Sequence, residues 1–362
     1  MEHLTLAASL ACGGRSVALY RWLHYGGGNI DDMLHPDTLK AAGIPRQLAQ
    51  HLHKWLTGDT LHAPLGRLRA NGWQWLWPGH RDWPVLLNDL ADPPGVLFVR
   101  GDSRLLDQPQ LAMVGARHAS TEGRDSARRF ARALSQAGFV ISSGLALGID
   151  GAAHEGALQG GKTLAVLGHG PGPCYPPRHR PLAERIVAGG GALISEFPPG
   201  IKPRKEFFPL RNRLISGLSL ATLVIEAALR SGSLITARLA AEQGREVFAM
   251  PGSIHNPLSK GCHALLRDGA NWLESIDDIL AQFGSLRQLA ASATSTASAT
   301  VDIPPLLGHF TSGINSLDQL QARSQHSVAE LAASLSEMEL AGWIERVPGG
   351  YSRRHDGDSL TS

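Results

Sequence analysis

The most basic stretch of the chain is Lys202-Pro203-Arg204-Lys205-Glu206-Phe207-Phe208-Pro209-Leu210-Arg211-Asn212-Arg213, with five cations, one acid and two aromatics. Arg and Lys neutralise phosphates, and aromatic faces stack on exposed bases without reading their order. The mixture suits a nucleic-acid strand; the competing reading is a solvated charged loop. Three glycine-containing turns could add anion contacts: Gly115-Ala116-Arg117, Ser143-Gly144 and Ser231-Gly232-Ser233. Such turns expose backbone amides, and Arg117 contributes a fixed cation to the first of them.

Other residues invite catalytic readings that fail on spacing. Asp150 and His154 are four apart on a helix, but Asp150 stands where it would cap that helix, and His154-Glu155 lacks the second histidine of a zinc-protease motif. No GxSxG elbow occurs. Glu196 and Glu226 end strands, where they serve as acids or as arginine partners. Gly156 to Thr163 matches the Walker A spacing letter for letter. A phosphate loop must follow a strand and open a helix, whereas here the glycines close a helix and a strand follows. Gly115 to Ser120 is not GxGxxG, and no acid clearly ends the second strand, so a dinucleotide is not expected. No catalytic set, metal or cofactor is expected.

The elements that must position these residues run from Leu111 to Gly252. Apolar runs at 111–114, 139–141, 163–167 and 221–225 alternate with helix-period segments at 122–136 and 150–159. Continuous apolar strands between helices predict a parallel sheet covered on both faces, with ligands beyond the carboxyl ends of its strands. The glycine turns and Glu226 fall at those ends. Residues 192–194 and 246–250 predict further strands, and 96–99 an additional edge strand.

Before this domain, residues 1 to about 60 read as short helices, either a SAM-like or helix-hairpin-helix module or a helical cap. Trp73, Trp75 and Trp77 alternate as on one face of a strand, which is either a buried face or a stacking platform. After it, residues 290–300 are all Ala, Ser or Thr, a flexible linker by composition. Then 316–321, 327–341 and 343–351 read as helix, helix and hairpin, the order of a winged helix. Ser327 and Glu330 form a capping box there, and Arg346, Arg353 and Arg354 are cations for duplex DNA, although a protein partner is an equal alternative. The division expected is a helical domain at 1–65, the α/β domain at 66–284, a linker at 285–301 and a winged helix at 302–362.

Net charge is +2 over 362 residues, so anion binding has to come from local clusters rather than the global field. Cys12, Cys174 and Cys262 show no CxxC spacing, which supports neither a disulfide framework nor a cysteine zinc site. No signal peptide or bilayer-length apolar run is present, so a cytoplasmic protein without membrane contact is expected.

Taken together, Val114-Gly-Ala-Arg117, Ser142-Ser-Gly-Leu-Ala-Leu-Gly-Ile-Asp150, Ile194-Ser-Glu-Phe-Pro-Pro-Gly200, Phe208-Pro-Leu-Arg-Asn-Arg213, Ser231-Gly-Ser-Leu-Ile-Thr236 and Pro251-Gly252 resemble the DprA (Smf) family of DNA-processing proteins over residues 80–284. The resemblance implies an extended Rossmann fold, a homodimer, sequence-independent binding of single-stranded DNA, and loading of RecA during natural transformation. It implies no enzymatic step. The family's basic pocket maps onto Arg117, Lys205 and Phe208, and motif position extends it to Arg211 and Asn212. Ser143, Gly144, Ser231 and Gly232 supply close backbone approach. The chain departs from the family at Gly168-His-Gly-Pro-Gly-Pro-Cys174-Tyr-Pro176, where Arg178 is left to supply the basic corner. The rival class is a nucleoside-monophosphate phosphoribohydrolase of the lysine-decarboxylase-like group. Its GGRGTxxE run has no match in Arg230-Ser-Gly-Ser-Leu-Ile-Thr236, which lacks the glutamate.

Overall fold

A computed structural model describes Ser9, residues 62–283 and, further on, 306, 309–310, 315–324, 327–340, 344–347 and 350–353. The helical module expected at the N-terminus and the linker at 285–301 lie outside the described residues. The chain divides into two compact units, 1–291 and 292–362.

In the first unit the described residues form a sheet of nine strands. In chain order they are β1 Trp73–Leu76, β2 Leu97–Gly101, β3 Gln110–Val114, β4 Val140–Ser143, β5 Thr163–Val166, β6 Ala192–Ser195, β7 Ala221–Val224, β8 Glu246–Ala249 and β9 Asn271–Trp272. Their spatial order is β1-β2-β6-β5-β4-β3-β7-β8-β9. Along the spatial order from β6 to β9 the strands are parallel to one another, while β2 runs antiparallel to both β6 and β1. The expected edge strand at 96–99 is thus correct in kind and wrong in place. It is covered by β1, whose Trp73 and Trp75 are buried and pair opposite Arg100 and Phe98. Trp73 and Trp75 are therefore core, not a stacking platform, while Trp77 lies past β1 and is partly exposed.

The helices are α1 His62–Ala70, α2 Thr121–Gln136, α3 Ile149–Gly160, α4 Arg180–Ala188, α5 Phe207–Gly217, α6 Gly232–Glu242 and α7 Lys260–Arg267. Period-two alternation along β3 sends Leu111 and Met113 to one face and Ala112 and Val114 to the other. The first pair joins Ala127, Ala131 and Leu134 of α2 and Ile149 and Ala153 of α3. The second joins Leu214 and Ile215 of α5, Ala237 of α6 and Cys262 of α7. Both faces are filled, which is why the strand sequences are apolar without interruption.

From β3 the chain steps outward through β4 and β5 to β6, then returns by α5 to β7 on the far side of β3. The strand order reverses between β3 and β7, the point where sheets of this kind bind ligands. The Walker A match resolves as expected from its order. Gly160 ends α3, β5 follows, and Lys162 Nζ donates to the Gly189 carbonyl at 3.0 Å.

The second unit contains α8 Leu317–Ser324, α9 Val328–Leu340 and a hairpin of β10 Ile344–Val347 with β11 Gly350–Arg353. Leu320, Leu331, Leu335, Met338 and Ile344 form its core. Ser327 N donates to Glu330 Oε2 at 2.9 Å and Glu330 N to Ser327 Oγ at 3.4 Å, the capping box expected there. No helix among the described residues is long and apolar enough to cross a membrane.

Candidate nucleic-acid interface

The loop after β3 is fastened from both neighbouring segments. Ala116 N donates to the Glu226 carbonyl at 2.7 Å, and Ile149 N donates to the Ala116 carbonyl at 3.2 Å. Ser120 caps α2, its Oγ accepting from Gly123 N at 2.9 Å. Glu226, just past β7, then takes the α2 terminus. Its carboxylate accepts from Ser120 N at 2.8 Å and from Ser120 Oγ at 2.6 Å. A Cβ on Gly123 would run into that carboxylate. An anion at a helix N-terminus is favoured by the free amides and the helix dipole, and here the protein supplies it. Glu226 therefore pairs with a helix end rather than with an arginine. Arg117 and His118, with the loop fixed beneath them, are exposed.

The Ser143–Gly144 turn is held from below. Ser143 Oγ donates to the Met113 carbonyl at 2.7 Å. Arg211 on α5 lies against Gly144, where any side chain would meet the guanidinium. Its Nη1 donates to the Gly144 carbonyl at 2.8 Å and also to the Val166 carbonyl, and its Nε donates to Asn212 Oδ1 at 3.1 Å. Asp150 does not cap α3; Gly148 occupies the N-cap position. Instead Asp150 Oδ2 turns back to accept from Gly144 N at 3.1 Å and Ala146 N at 3.4 Å. Desolvation raises the Asp150 pKa above its ordinary value and lowers that of Arg211 to about 10, each offset by the charge of the other.

The basic stretch splits in two. Its first half, with Lys202, Arg204 and Lys205, is exposed. Its second half is the start of α5, where Arg211 and Arg213 are 4% and 6% exposed. Arg213 forks onto Glu196 at 2.7 and 2.6 Å, and its Nε donates to the Asp92 carbonyl at 2.8 Å. Phe207 packs on Phe197 with ring centroids 4.6 Å apart, leaving Phe208 facing the loop after β5. Gly168 backs the Phe208 ring; a Cβ there would stand 2.8 Å from it.

What comes together on the surface is a cation and two rings. The Arg117 guanidinium carbon is 5.5 Å from the Phe208 ring centroid, and Tyr175 lies 5.6 Å from the same ring at an interplanar angle of 33°. Tyr175 is 45% exposed, large for an aromatic side chain. Sequence reasoning does not single it out; its only signal is its position at the end of a Gly/Pro loop near the basic stretch. Arg178 is exposed in the short 3-10 turn that follows. Ser231 and Gly232 lie past β7, where Ser231 caps α6 and its Oγ shares a 2.7 Å hydrogen bond with Ser233 Oγ. Among the described residues no group of three or more His, Cys, Asp or Glu could hold a metal ion.

Comparison with known proteins agrees with this architecture. Residues 74–284 match the family described as DNA recombination-mediator protein A, and residues 290–350 match the DprA winged helix domain. Protein Smf of Escherichia coli K12 is 46% identical over 279 residues, covering 75% of each chain. DNA processing protein DprA of Streptococcus pneumoniae R6 is 46% identical over 202 residues, 56% of this chain and 71% of that one. Among solved structures, S. pneumoniae DprA superimposes with a TM-score of 0.68 at 36% identity, covering 78% of this chain and 98% of that one. DNA processing protein A of Helicobacter pylori, solved for its single-stranded DNA binding mode, gives a TM-score of 0.54 at 31% identity over 59% and 96%. With its Rossmann-like sheet and winged helix, the chain belongs to the DprA family of DNA recombination-mediator proteins.

Proposed function

We propose that the chain binds single-stranded DNA across the carboxyl edge of its sheet and performs no chemistry on it. The observation that carries this reading is the cluster of exposed Arg117, half-buried Phe208 and exposed Tyr175, flanked by exposed Lys205 and Arg178. Phosphates lie along Arg117, Lys205 and Arg178, and bases stack on Phe208 and Tyr175. The Ser231–Gly232 turn and Asn212 border the strand, whereas Ser143 and Gly144 are buried, with the Gly144 amide and carbonyl already bonded to Asp150 and Arg211. Arg211, buried and bound to carbonyls, holds the Gly144 turn in place from beneath. The single-stranded DNA binding of the H. pylori relative supports the choice of ligand.

In the cell, the bound strand is incoming DNA in the cytoplasm, protected and passed to RecA during natural transformation by a homodimer of this chain. Duplex contacts fall to the winged helix. Fluorescence anisotropy of mixed-sequence single- and double-stranded oligonucleotides, across a salt series, tests the core of this reading. Tight single-strand binding that persists in a chain ending at Leu289 is expected. Binding lost with the C-terminal residues overturns the assignment to the sheet. Release of free base from AMP is expected to be absent, and its detection would favour the phosphoribohydrolase alternative.

A further inference from the structure

The loop that carries Tyr175 and Arg178 is hydrogen-bonded to other described residues only at its two ends. At its start, Ser195 Oγ donates to the His169 carbonyl at 2.7 Å and Gly170 N donates to the Ile201 carbonyl at 3.0 Å. From Pro171 to Arg178, no hydrogen bond among the described residues reaches another segment. Cys174 Sγ donates within the loop, to the Pro176 carbonyl at 3.7 Å. At the far end stands His179, half-buried. Its Nδ1 lies 2.9 Å from the Leu145 carbonyl, which can only accept, so that nitrogen carries the proton. The ring lies against the first turn of α3, where a Cβ on Gly151 would stand 2.6 Å from its Cε1. Glycine weakens a helix, and here its bare face admits the imidazole.

What His179 holds is itself fixed. Leu145 sits between Gly144 and Ala146, whose amides both donate to Asp150, and its φ of 57° lies in the left-handed region that side chains rarely adopt. Such a conformation persists where the surroundings determine it. The loop can pass that position on, since four of its seven residues from Pro171 to Pro177 are prolines, whose φ is set by the ring. We propose that His179 is a positioning residue: by holding the Leu145 carbonyl it fixes the loop so that Tyr175 meets Phe208 and Arg178 stays exposed beside it. Its consequence for DNA rests on the strand-binding reading; its consequence for the loop does not.

Three variants of the full chain test this. His179→Ala removes the donor. His179→Asn keeps one, because the asparagine amide nitrogen is as many bonds from the backbone as Nδ1. Gly151→Ala leaves His179 in place and puts a methyl group where its ring lies. The readouts are the rate of tryptic cleavage after Arg178, followed by mass, and the anisotropy of a labelled oligothymidylate. Cleavage of a loop that opens transiently follows the open population, and the loss of one hydrogen bond shifts such a population about two- to tenfold. His179→Ala and Gly151→Ala should therefore speed cleavage after Arg178 and weaken strand binding by about that factor, while cleavage elsewhere keeps its rate and His179→Asn stays close to the parent. Gly151→Ala leaves the cleaved bond unaltered, so faster cleavage in that variant reads release of the loop. The inference is overturned if cleavage after Arg178 is unchanged, if it speeds throughout the chain, or if His179→Asn behaves as His179→Ala. Parent-like strand affinity in a chain whose loop is released also sinks the positioning role. If the parent chain binds no strand but the cleavage pattern stands, the strand-binding reading fails and the hold of His179 on the loop survives.

Discussion

Replacing Phe208 by alanine probes the proposed strand surface directly. The ring centroid lies 5.5 Å from the Arg117 guanidinium carbon and 5.6 Å from the Tyr175 ring centroid, and the ring is half-buried against Gly168. Alanine removes a stacking platform worth about 1–3 kcal/mol per base, which corresponds to roughly 5- to 150-fold in Kd. Because the side chain is only partly buried, the stability cost falls below the ~3–5 kcal/mol of a fully buried phenylalanine, and the chain stays folded. No charge is lost, so the slope of log affinity against log salt stays as it was. Arg117→Ala gives the contrasting signature: weaker binding with a slope shallower by about 0.7, the increment for one single-strand phosphate contact. The assay is anisotropy of a labelled oligothymidylate over a salt series, with the melting temperature of each variant measured alongside. Unchanged affinity in Phe208→Ala, or a slope that moves with it, refutes the stacking role. Unchanged slope in Arg117→Ala refutes the phosphate contact.

Two further expectations concern the supports beneath that surface. Arg211→Met strips the counter-charge from buried Asp150 and costs about 3–5 kcal/mol of stability at neutral pH, read by chemical denaturation. Asp150 already titrates above its ordinary 3.8, so folding favours its protonated form and its contribution falls as pH rises through the folded-state value. The Arg211→Met penalty should therefore shrink as pH is lowered toward acid, and a penalty that grows instead contradicts the pairing. Gly123→Ala places a methyl group against the Glu226 carboxylate, and thermal melting should show destabilisation despite the ~1 kcal/mol by which alanine favours a helix interior over glycine.

Much of this arrangement is legible in the order of residues alone. The runs at 111–114, 163–167 and 221–225 correspond to β3, β5 and β7 because strands buried on both faces must be apolar at every position. What escapes depends on contacts distant in sequence. Residues 202–213 look like one charged loop, yet α5 begins at Phe207, and Arg213 finds its acid just past β6 at Glu196. Nothing local announces that Arg211 points inward to the Gly144 and Val166 carbonyls. Asp150 looks like a helix cap because its position fits one. The turn at Gly144 and Ala146 offers its carboxylate two amides instead. Likewise 96–99 reads as an edge strand, since only the buried tryptophans of β1 reveal that another strand covers it.

The carboxylate of Glu226 on the first turn of α2 also bears on how a polymer would travel over this surface. With that terminus already satisfied from within, the sheet edge has no deep seat there to fix one phosphate in one place. On the proposed function, what remains for a strand is a set of side-chain cations and ring faces, on which neighbouring nucleotides are near equivalents. A ligand held that way has many registers of similar energy, so it can shift by a nucleotide without first letting go. On the proposed function, that freedom lets another protein take over a strand stepwise from one end while the rest stays covered.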